Sequence, residues 1–191
     1  MPRTDGLPRR EVAVVVVTGS ESTGKTTLAA DLARHYGTTW VPEFARAYLA
    51  EKLATTGQRL DAGDVEPIAH GHIASVDAAI ARTRHLVVLD TDLVSTMVYS
   101  RHYYGVCPAW IERATRNRLG DLYLLCDIDV PWLPDPARDR PQHREELHAL
   151  FVAVLDSLGA RYATLRGSWD DRRVEAISAI DILSGQSHDR S

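Results

Sequence analysis

The sequence contains few cysteines and no long apolar run. These two features argue against a disulfide-rich protein and against a membrane-spanning one. Its 191 residues include two cysteines, Cys107 and Cys126, whose spacing fits neither a disulfide framework nor a metal-binding pattern. We interpret them as packing residues in a reducing compartment. The valine-rich run 12–17 is too short to span a bilayer, and no signal-peptide pattern precedes it. We therefore expect a cytoplasmic protein that does not contact membranes.

An excess of positive charge is also missing. The formal net charge is −4, so we do not expect a dedicated binder of nucleic acids or of membrane surfaces. The hydrophobic fraction of 45% is ordinary for a globular protein. The length suits one domain over 1–191 with a sizeable core, and we expect flexible tails at 1–10 and 185–191. The sequence carries no information on oligomeric state.

Apolar, β-branched segments alternate with amphipathic segments along the whole chain. The alternation predicts an α/β fold, a five-stranded parallel sheet sandwiched by helices. In such a sheet the carboxyl ends of the strands share one edge, where ligands bind. The predicted strands are 12–17, 38–41, 86–90, 121–126 and 161–165, and the helices between and after them include 27–36, 65–84 and 170–183.

The octapeptide at 19–26 matches the phosphate-binding P-loop pattern G-x-x-x-x-G-K-[ST] at every fixed position. A predicted strand precedes it and an amphipathic helix follows, which is the context that the motif requires. Its glycines let backbone amides approach phosphate oxygens, and the helix start adds partial positive charge. We therefore expect a nucleoside triphosphate to bind at Gly19, Ser22, Thr23, Gly24, Lys25, Thr26 and Thr27, with Lys25 reaching the outer phosphates.

Two pairs of polar residues follow predicted strands. Asp90 ends an apolar strand. P-loop enzymes carry their second acidic motif at this position, where it helps to hold Mg²⁺. We expect Asp90 to do so together with the Thr26 hydroxyl. Asp92 could cap the next helix or contact a substrate. Glu43 and Arg46 share one face of a helix start and could bind a substrate. A solvated ion pair at the surface is the equally weighted alternative for them.

An arginine-rich segment between the fourth strand and the next helix is the third candidate. Arg138, Arg140 and Arg144 could cover the phosphates and neutralise charge during phosphoryl transfer. A solvated charge run is the alternative. Trp132 could stack on a base or a cationic ring, although core packing is the safer interpretation from periodicity alone. His70 and His72 face different sides of a helix, and we interpret them as packed or solvated rather than metal-binding.

Taken together, these segments resemble a known family. The chain is similar, over about 12–182, to the ribosylnicotinamide kinase domain of bifunctional NadR-type proteins, a branch of the P-loop nucleoside and nucleotide kinases. The Asp-Thr-Asp and Pro-Trp segments make the similarity much sharper than the P-loop alone. The segments that carry it are GSESTGKT at 19–26, EFARAY at 43–48, IAHGH at 68–72, DTDLVST at 90–96 and PWLPDPAR at 131–138.

The resemblance implies a P-loop kinase fold and transfer of phosphate from ATP–Mg²⁺ to the 5′-hydroxyl of nicotinamide riboside. It implies that 131–144 form a lid, and it leaves open which carboxylate acts as the base. The implied catalytic residues are Lys25, Asp90, Arg138 and Glu43; Arg140 joins the P-loop on ATP; Thr26 and Asp90 hold the metal; Glu43, Arg46, Asp92 and Trp132 contact the nucleoside.

The sequence departs from this family at its start. Only 1–11 precede the first strand, so we expect neither the nucleotidyltransferase domain nor the DNA-binding region of the bifunctional proteins. The departure leaves the acceptor open, because a stand-alone relative could act on another nucleoside or nucleotide. A non-catalytic P-loop module that uses nucleotide as a regulatory switch is the further alternative.

Overall fold

The structure, a computed structural model, describes residues 12–131 and 143–188. Trp132, Arg138 and Arg140 therefore lie outside the described residues, as do most of the expected lid and the tail 1–10. None of the described helices combines the length and apolar composition needed to cross a membrane. The described strands are β1 (Ala13–Thr18), β2 (Thr39–Val41), β3 (Leu86–Asp90), β4 (Leu122–Cys126) and β5 (Tyr162–Leu165).

Seven α-helices and one short 3₁₀ helix at Ala62–Asp64 connect and follow these strands in the described part of the chain. The elements alternate as the sequence predicts. The helices are α1 (Lys25–His35), α2 (Phe44–Thr56), α3 (Val65–Ile80), α4 (Leu93–Tyr104), α5 (Ala109–Asn117), α6 (Arg144–Leu158) and α7 (Trp169–His188).

All five strands pair in parallel, in the order β2-β3-β1-β4-β5. The predicted five-stranded parallel sheet is thereby confirmed. β1 is central and pairs with both β3 and β4, and its register sets Val17 opposite Asp90. The P-loop leaves the sheet at the carboxyl end of this central strand. The segments that follow β3 and β4 therefore lie on either side of it.

Alternate side chains of β1 enter two separate cores. Val14 and Val16 pack on one face with α3, α4, α5 and α6, while Val15 and Val17 pack on the other with α1 and α7. Because both faces are covered, the strand is a continuous β-branched run instead of an alternating apolar and polar one. The double burial makes the sheet a rigid support for the loops at its edge.

Helix α2 lies outside both cores. None of its residues, all of which the structure describes, is buried. Polar contacts hold it to the start of α3: the Tyr48 hydroxyl lies 3.1 Å from an Asp64 oxygen, and Lys52 Nζ lies 2.5 Å from Asp64 and 2.9 Å from Asp61. The ring of Phe44 lies over Gly71 of α3, where a Cβ would overlap it. The helix is thus attached by one ring and one polar cluster.

The helix ends differ from the sequence prediction by up to five residues. α1 begins at Lys25, two residues earlier than expected, because the P-loop runs directly into its first turn. α3 ends at Ile80, short of Arg84, because the N–H groups of Arg82 and Thr83 bond three residues back, at 3.1 and 3.2 Å, and tighten the chain into a turn. α7 continues past Leu183 to His188, into the segment that we expected to be a flexible tail.

Gly71→Ala tests whether the ring contact between α2 and α3 constrains the fold. A methyl group there should displace the Phe44 ring and cost about 1–3 kcal/mol, offset by the roughly 1 kcal/mol that alanine gains over glycine in a helix. Gly185→Ala is the matched control, because a Cβ on this glycine would have no described atom within 4 Å. In urea unfolding, Gly185→Ala should be more stable than the wild type and Gly71→Ala less stable. Equal stabilisation of both variants would contradict the constraint.

Candidate active site

The P-loop rests directly against the end of β4. Gly19 has φ 128°, and a Cβ on it would lie 2.7 Å from the backbone oxygen of Cys126. Gly24 has φ 83° and caps α1. Side chains are disfavoured at both angles, so these two glycines permit the tight turn. Ser22, with φ 55°, adopts the left-handed conformation as well. The predicted phosphate-binding loop is therefore present with its backbone folded ahead of the N-terminus of α1.

Lys25 places a positive charge at the centre of this loop. Its side chain is buried, and Nζ donates a hydrogen bond of 2.6 Å to the carbonyl of Ser20. The Thr23 hydroxyl donates to the same carbonyl at 3.0 Å. Thr26 and Thr27 follow in the first turn of α1, half-buried and exposed respectively. The loop thus combines an ammonium group and a helix N-terminus, both of which favour a bound anion.

Asp90 lies beside the P-loop at the end of β3. It is 1% exposed. Burial raises the pKa of the nearby Cys126 thiol to about 11, and the charges of Lys25, Arg172 and Asp90 all act on this thiol. The carboxylate and the two cations therefore converge on the same end of the sheet, as a P-loop phosphate site requires.

The turn after β3 is strained. Thr91 has φ 68°, an uncommon conformation for a β-branched residue, and its N–H bonds to the carbonyl of Val17 at 2.9 Å. The turn leads into Asp92, which caps α4 by accepting the Val94 N–H at 2.9 Å. The buried Tyr123 hydroxyl donates to Asp92 at 2.6 Å. Of the two interpretations of Asp92, the helix cap is thus observed, and the contact with a substrate stays a prediction.

A cavity of about 310 Å³ opens beside the P-loop. The structure brings together Lys25, Glu43, Arg46 and Asp92, four of the predicted site residues, on its walls. Glu43 Oε2 and Arg46 Nε are 3.9 Å apart, so the predicted pairing occurs. Both residues line the cavity, and the Arg46 side chain is 44% exposed. The remaining lining includes Glu21, Phe44, Arg59, Asp61, Ile68, His72, Thr91, Ser95, Tyr99 and Tyr103.

Two titratable groups of the cavity have opposite shifts. Burial raises the pKa of Asp92 to about 6, against hydrogen bonds from Tyr123, Val94 and Ser95 that lower it. Burial, with a smaller effect of the Arg118 charge, lowers the pKa of His72 to about 4. At neutral pH the cavity therefore presents an ionised Asp92 and an uncharged His72. Across the whole lining, the carboxylates of Glu21, Glu43, Asp61 and Asp92 stand against the cations Lys25, Arg46 and Arg59.

His72 is a site residue that sequence reasoning missed. His70 stacks on Trp110 with ring centroids 4.4 Å apart, in agreement with the predicted packed histidine. His72, unlike the exposed His70, is buried, and it lines the cavity one helical turn after Ile68. The signal available in the sequence was this i,i+4 spacing on the inner face of α3. It becomes informative only once the cavity is known.

Arg172 was missed as well. It is 2% exposed, and it donates to the carbonyls of Thr23 at 3.3 Å, Asp127 at 3.2 Å and Gly167 at 3.1 Å. It also pairs with Asp129. A single guanidinium of α7 therefore joins the P-loop to the end of β4. Nothing in the sequence distinguishes it from the neighbouring arginine, Arg173.

The expected lid is represented by its two ends. At the near end, the Val130 carbonyl accepts a hydrogen bond of 3.1 Å from Arg144 Nη1. Burial and the charge of Arg172 lower the pKa of Arg144. Arg144 thus joins the two ends of the segment through Nη1, and its expected contact with the phosphates stays a prediction. The roles expected for Trp132, Arg138 and Arg140 stay predictions, because these residues lie outside those described.

Comparison with known proteins agrees with this geometry. A family model described as an AAA domain matches residues 14–172. The chain belongs to this family. It is also 26% identical over 178 residues to the trifunctional NAD biosynthesis/regulator protein NadR of Escherichia coli K12, a match that covers 92% of this chain. The chain spans 43% of that protein's length.

Solved structures place the fold among P-loop kinases. NadR in complex with NR has a TM-score of 0.71 and 25% identity, covering 92% of this chain and 52% of the other. NadR with NAD and AMP-PNP has a TM-score of 0.73 and 25% identity, covering 92% and 50%. Thymidylate kinase from Ehrlichia chaffeensis shares the fold, with a TM-score of 0.65 and 14% identity. The match covers 88% of this chain and 98% of the kinase. The resemblance to NadR-type proteins is confirmed, and the comparisons support a phosphotransferase.

Asp92→Asn should change how stability depends on pH. Because the pKa of Asp92 is raised in the folded state, from 3.8 to about 6, the folded protein binds this proton more tightly. The resulting stabilisation is fully present below the unfolded-state pKa and is lost as the pH rises through 6. Relative to the variant, the free energy of unfolding of the wild type should fall by roughly 2 kcal/mol between pH 4 and pH 7.

Chemical unfolding of both proteins across this range measures the difference directly. The effect of His72 has the opposite sign, but it is present in both proteins and cancels in the comparison. A difference that is independent of pH would show that Asp92 titrates normally.

Proposed function

We propose that the protein transfers the γ-phosphate of ATP to the ribose 5′-hydroxyl of nicotinamide riboside, giving nicotinamide mononucleotide and ADP. The observation that carries the proposal is the cavity, in which Lys25 of the P-loop shares one space with Glu43 and Asp92. The proposed ATP site and a pocket large enough for a nucleoside thus adjoin at Lys25.

The donor half of the proposal rests on the P-loop. Lys25 and the amides around Gly24 would hold the outer phosphates and neutralise their developing charge. Thr26 and Asp90 offer a hydroxyl and a buried carboxylate, the oxygen donors that suit Mg²⁺. Mg²⁺, held by these two residues, would offset the negative charge of the phosphates. Arg138 and Arg140 are proposed to add positive charge over the transferred group.

The acceptor half rests on the charge of the cavity. Nicotinamide riboside carries a cationic ring, and an ionised Asp92 together with Glu43 favours such a ring. Tyr99 and Tyr103 supply aromatic faces on the same wall, and we propose a similar role for Trp132. NadR has been solved in complex with NR, the usual abbreviation of this nucleoside, and NadR has been solved with AMP-PNP, an ATP analogue. Both complexes support the proposed pair of ligands.

The proton of the attacking hydroxyl needs an acceptor. Asp90 and Glu43 are the two carboxylates proposed for this role. Asp90 ends β3 beside the P-loop, whereas Glu43 precedes α2 across the cavity and lies 3.9 Å from Arg46. The second position also suits binding of ribose hydroxyls. Arg46 would then orient Glu43 or hold a phosphate.

The substrate is tested by measuring ADP release with a panel of acceptors: nicotinamide riboside, nicotinic acid riboside with its additional carboxylate, the four common ribonucleosides and thymidylate. We expect nicotinamide riboside to have the highest kcat/KM, because Asp92 and Glu43 favour its cationic ring. If only another nucleoside or nucleotide is phosphorylated, the protein is a kinase but the proposed acceptor is wrong. Mass spectrometry of the product identifies the phosphorylated species.

Asp90→Asn distinguishes an enzyme from a nucleotide-dependent regulatory module. We expect kcat to fall by roughly 100-fold or more, since a carboxylate proposed to hold the metal or to accept the proton is lost. The P-loop is unchanged, so AMP-PNP should bind within a few-fold of its wild-type affinity. The control is Asp156→Asn. Asp156 is an exposed residue of α6 that accepts a hydrogen bond from Tyr162, and its replacement should leave kcat at the wild-type value. Full turnover by Asp90→Asn would contradict the assigned role.

A further inference from the structure

Three potential metal ligands meet where α4 ends and α6 begins. His102 lies in the last turn of α4, His143 caps α6, and Glu146 lies in the first turn of α6. In the described part of the chain these side chains are separate from those that line the cavity. The cluster therefore needs an explanation of its own.

The spacing of the three donor atoms suits one ion. Glu146 Oε1 lies 3.5 Å from His102 Nδ1, and Glu146 Oε2 lies 3.2 Å from His143 Nδ1. All three donor groups have ligand atoms within 4.8 Å of one another. Ligands on a tetrahedral zinc ion, with bonds of about 2.0–2.2 Å, are roughly 3.3–3.6 Å apart. The two separations are close to this range, and each involves a different oxygen of Glu146, so an ion would be held by both oxygens or by one of them after the carboxylate rotates.

The donor types favour a transition metal over magnesium. Two imidazoles and one carboxylate form a ligand set found in zinc sites, whereas Mg²⁺ prefers oxygen ligands alone. The His102 side chain is 5% exposed and packs edge-on against Tyr103, with centroids 4.8 Å apart, so packing fixes it in place. Glu146 is 60% exposed. Solvent can thus supply a fourth ligand.

We propose that His102, His143 and Glu146 bind one divalent transition-metal ion of the zinc type. The ion joins the end of α4 to the start of α6. Because Tyr99 and Tyr103 of α4 line the cavity, the ion stabilises one wall of that pocket from behind. The simpler interpretation is that Glu146 accepts hydrogen bonds from the two imidazoles, and that interpretation predicts no selective binding of metal.

Titration of chelator-treated, nucleotide-free protein with Zn²⁺ tests the site. Calorimetry should show one saturable site per chain, and Co²⁺ should give the visible absorption bands of a four-coordinate ion. His143→Ala and Glu146→Gln should each weaken binding at least tenfold and abolish the rise in melting temperature that Zn²⁺ gives the wild type. Excess Mg²⁺ should not displace the ion.

His85→Ala is the matched control, because this histidine is exposed and directly precedes β3, outside the cluster; the variant should bind Zn²⁺ like the wild type. Absence of saturable Zn²⁺ binding by the wild type would overturn the proposal. So would unweakened binding by Glu146→Gln, which changes one group of an exposed side chain and should leave the fold intact. The readouts are binding and stability, so they are independent of which acceptor the enzyme uses.

Discussion

The contact between the P-loop and the end of β4 is the constraint on which the site depends. Gly19 passes so close to the Cys126 carbonyl that no larger residue fits. Arg172 fixes the same junction by donating to the carbonyls of Thr23 and Asp127. A loop that must bind phosphate through its backbone amides is thus held by backbone contacts and one buried guanidinium. Within the loop, Lys25 Nζ and the Thr23 hydroxyl both donate to the Ser20 carbonyl.

The two halves of the site are supported differently. The P-loop, Asp90 and Asp92 follow buried strands and share the stability of the central sheet. Glu43 and Arg46 precede or begin α2, which is attached by the Phe44 ring and by the cluster of Tyr48, Lys52 and Asp64. Such an arrangement keeps donor geometry fixed while the acceptor wall can differ between related proteins at little cost to the fold.

Periodicity predicted all five described strands, and the P-loop pattern predicted the loop at 19–26, because these signals are local in the sequence. The strand order, the inward position of His72 and the junction made by Arg172 depend on contacts between distant elements, which periodicity does not encode. Arg144 shows the same limit, because its sequence neighbours do not reveal the hydrogen bond that its guanidinium donates to the Val130 carbonyl. α3 ends earlier than predicted because a tight turn takes the place of its last expected helical turn.

The attachment of α2 has a thermodynamic consequence. A helix without buried residues contributes little to the cooperative unfolding of the core, so it can separate from α3 at a free-energy cost below that of global unfolding. A ligand that contacts both Glu43 and Asp92 would bridge this helix to the sheet. Occupancy of the cavity and docking of α2 are then linked equilibria, and slow amide hydrogen exchange along α2 becomes a direct measure of how much of the acceptor pocket is assembled.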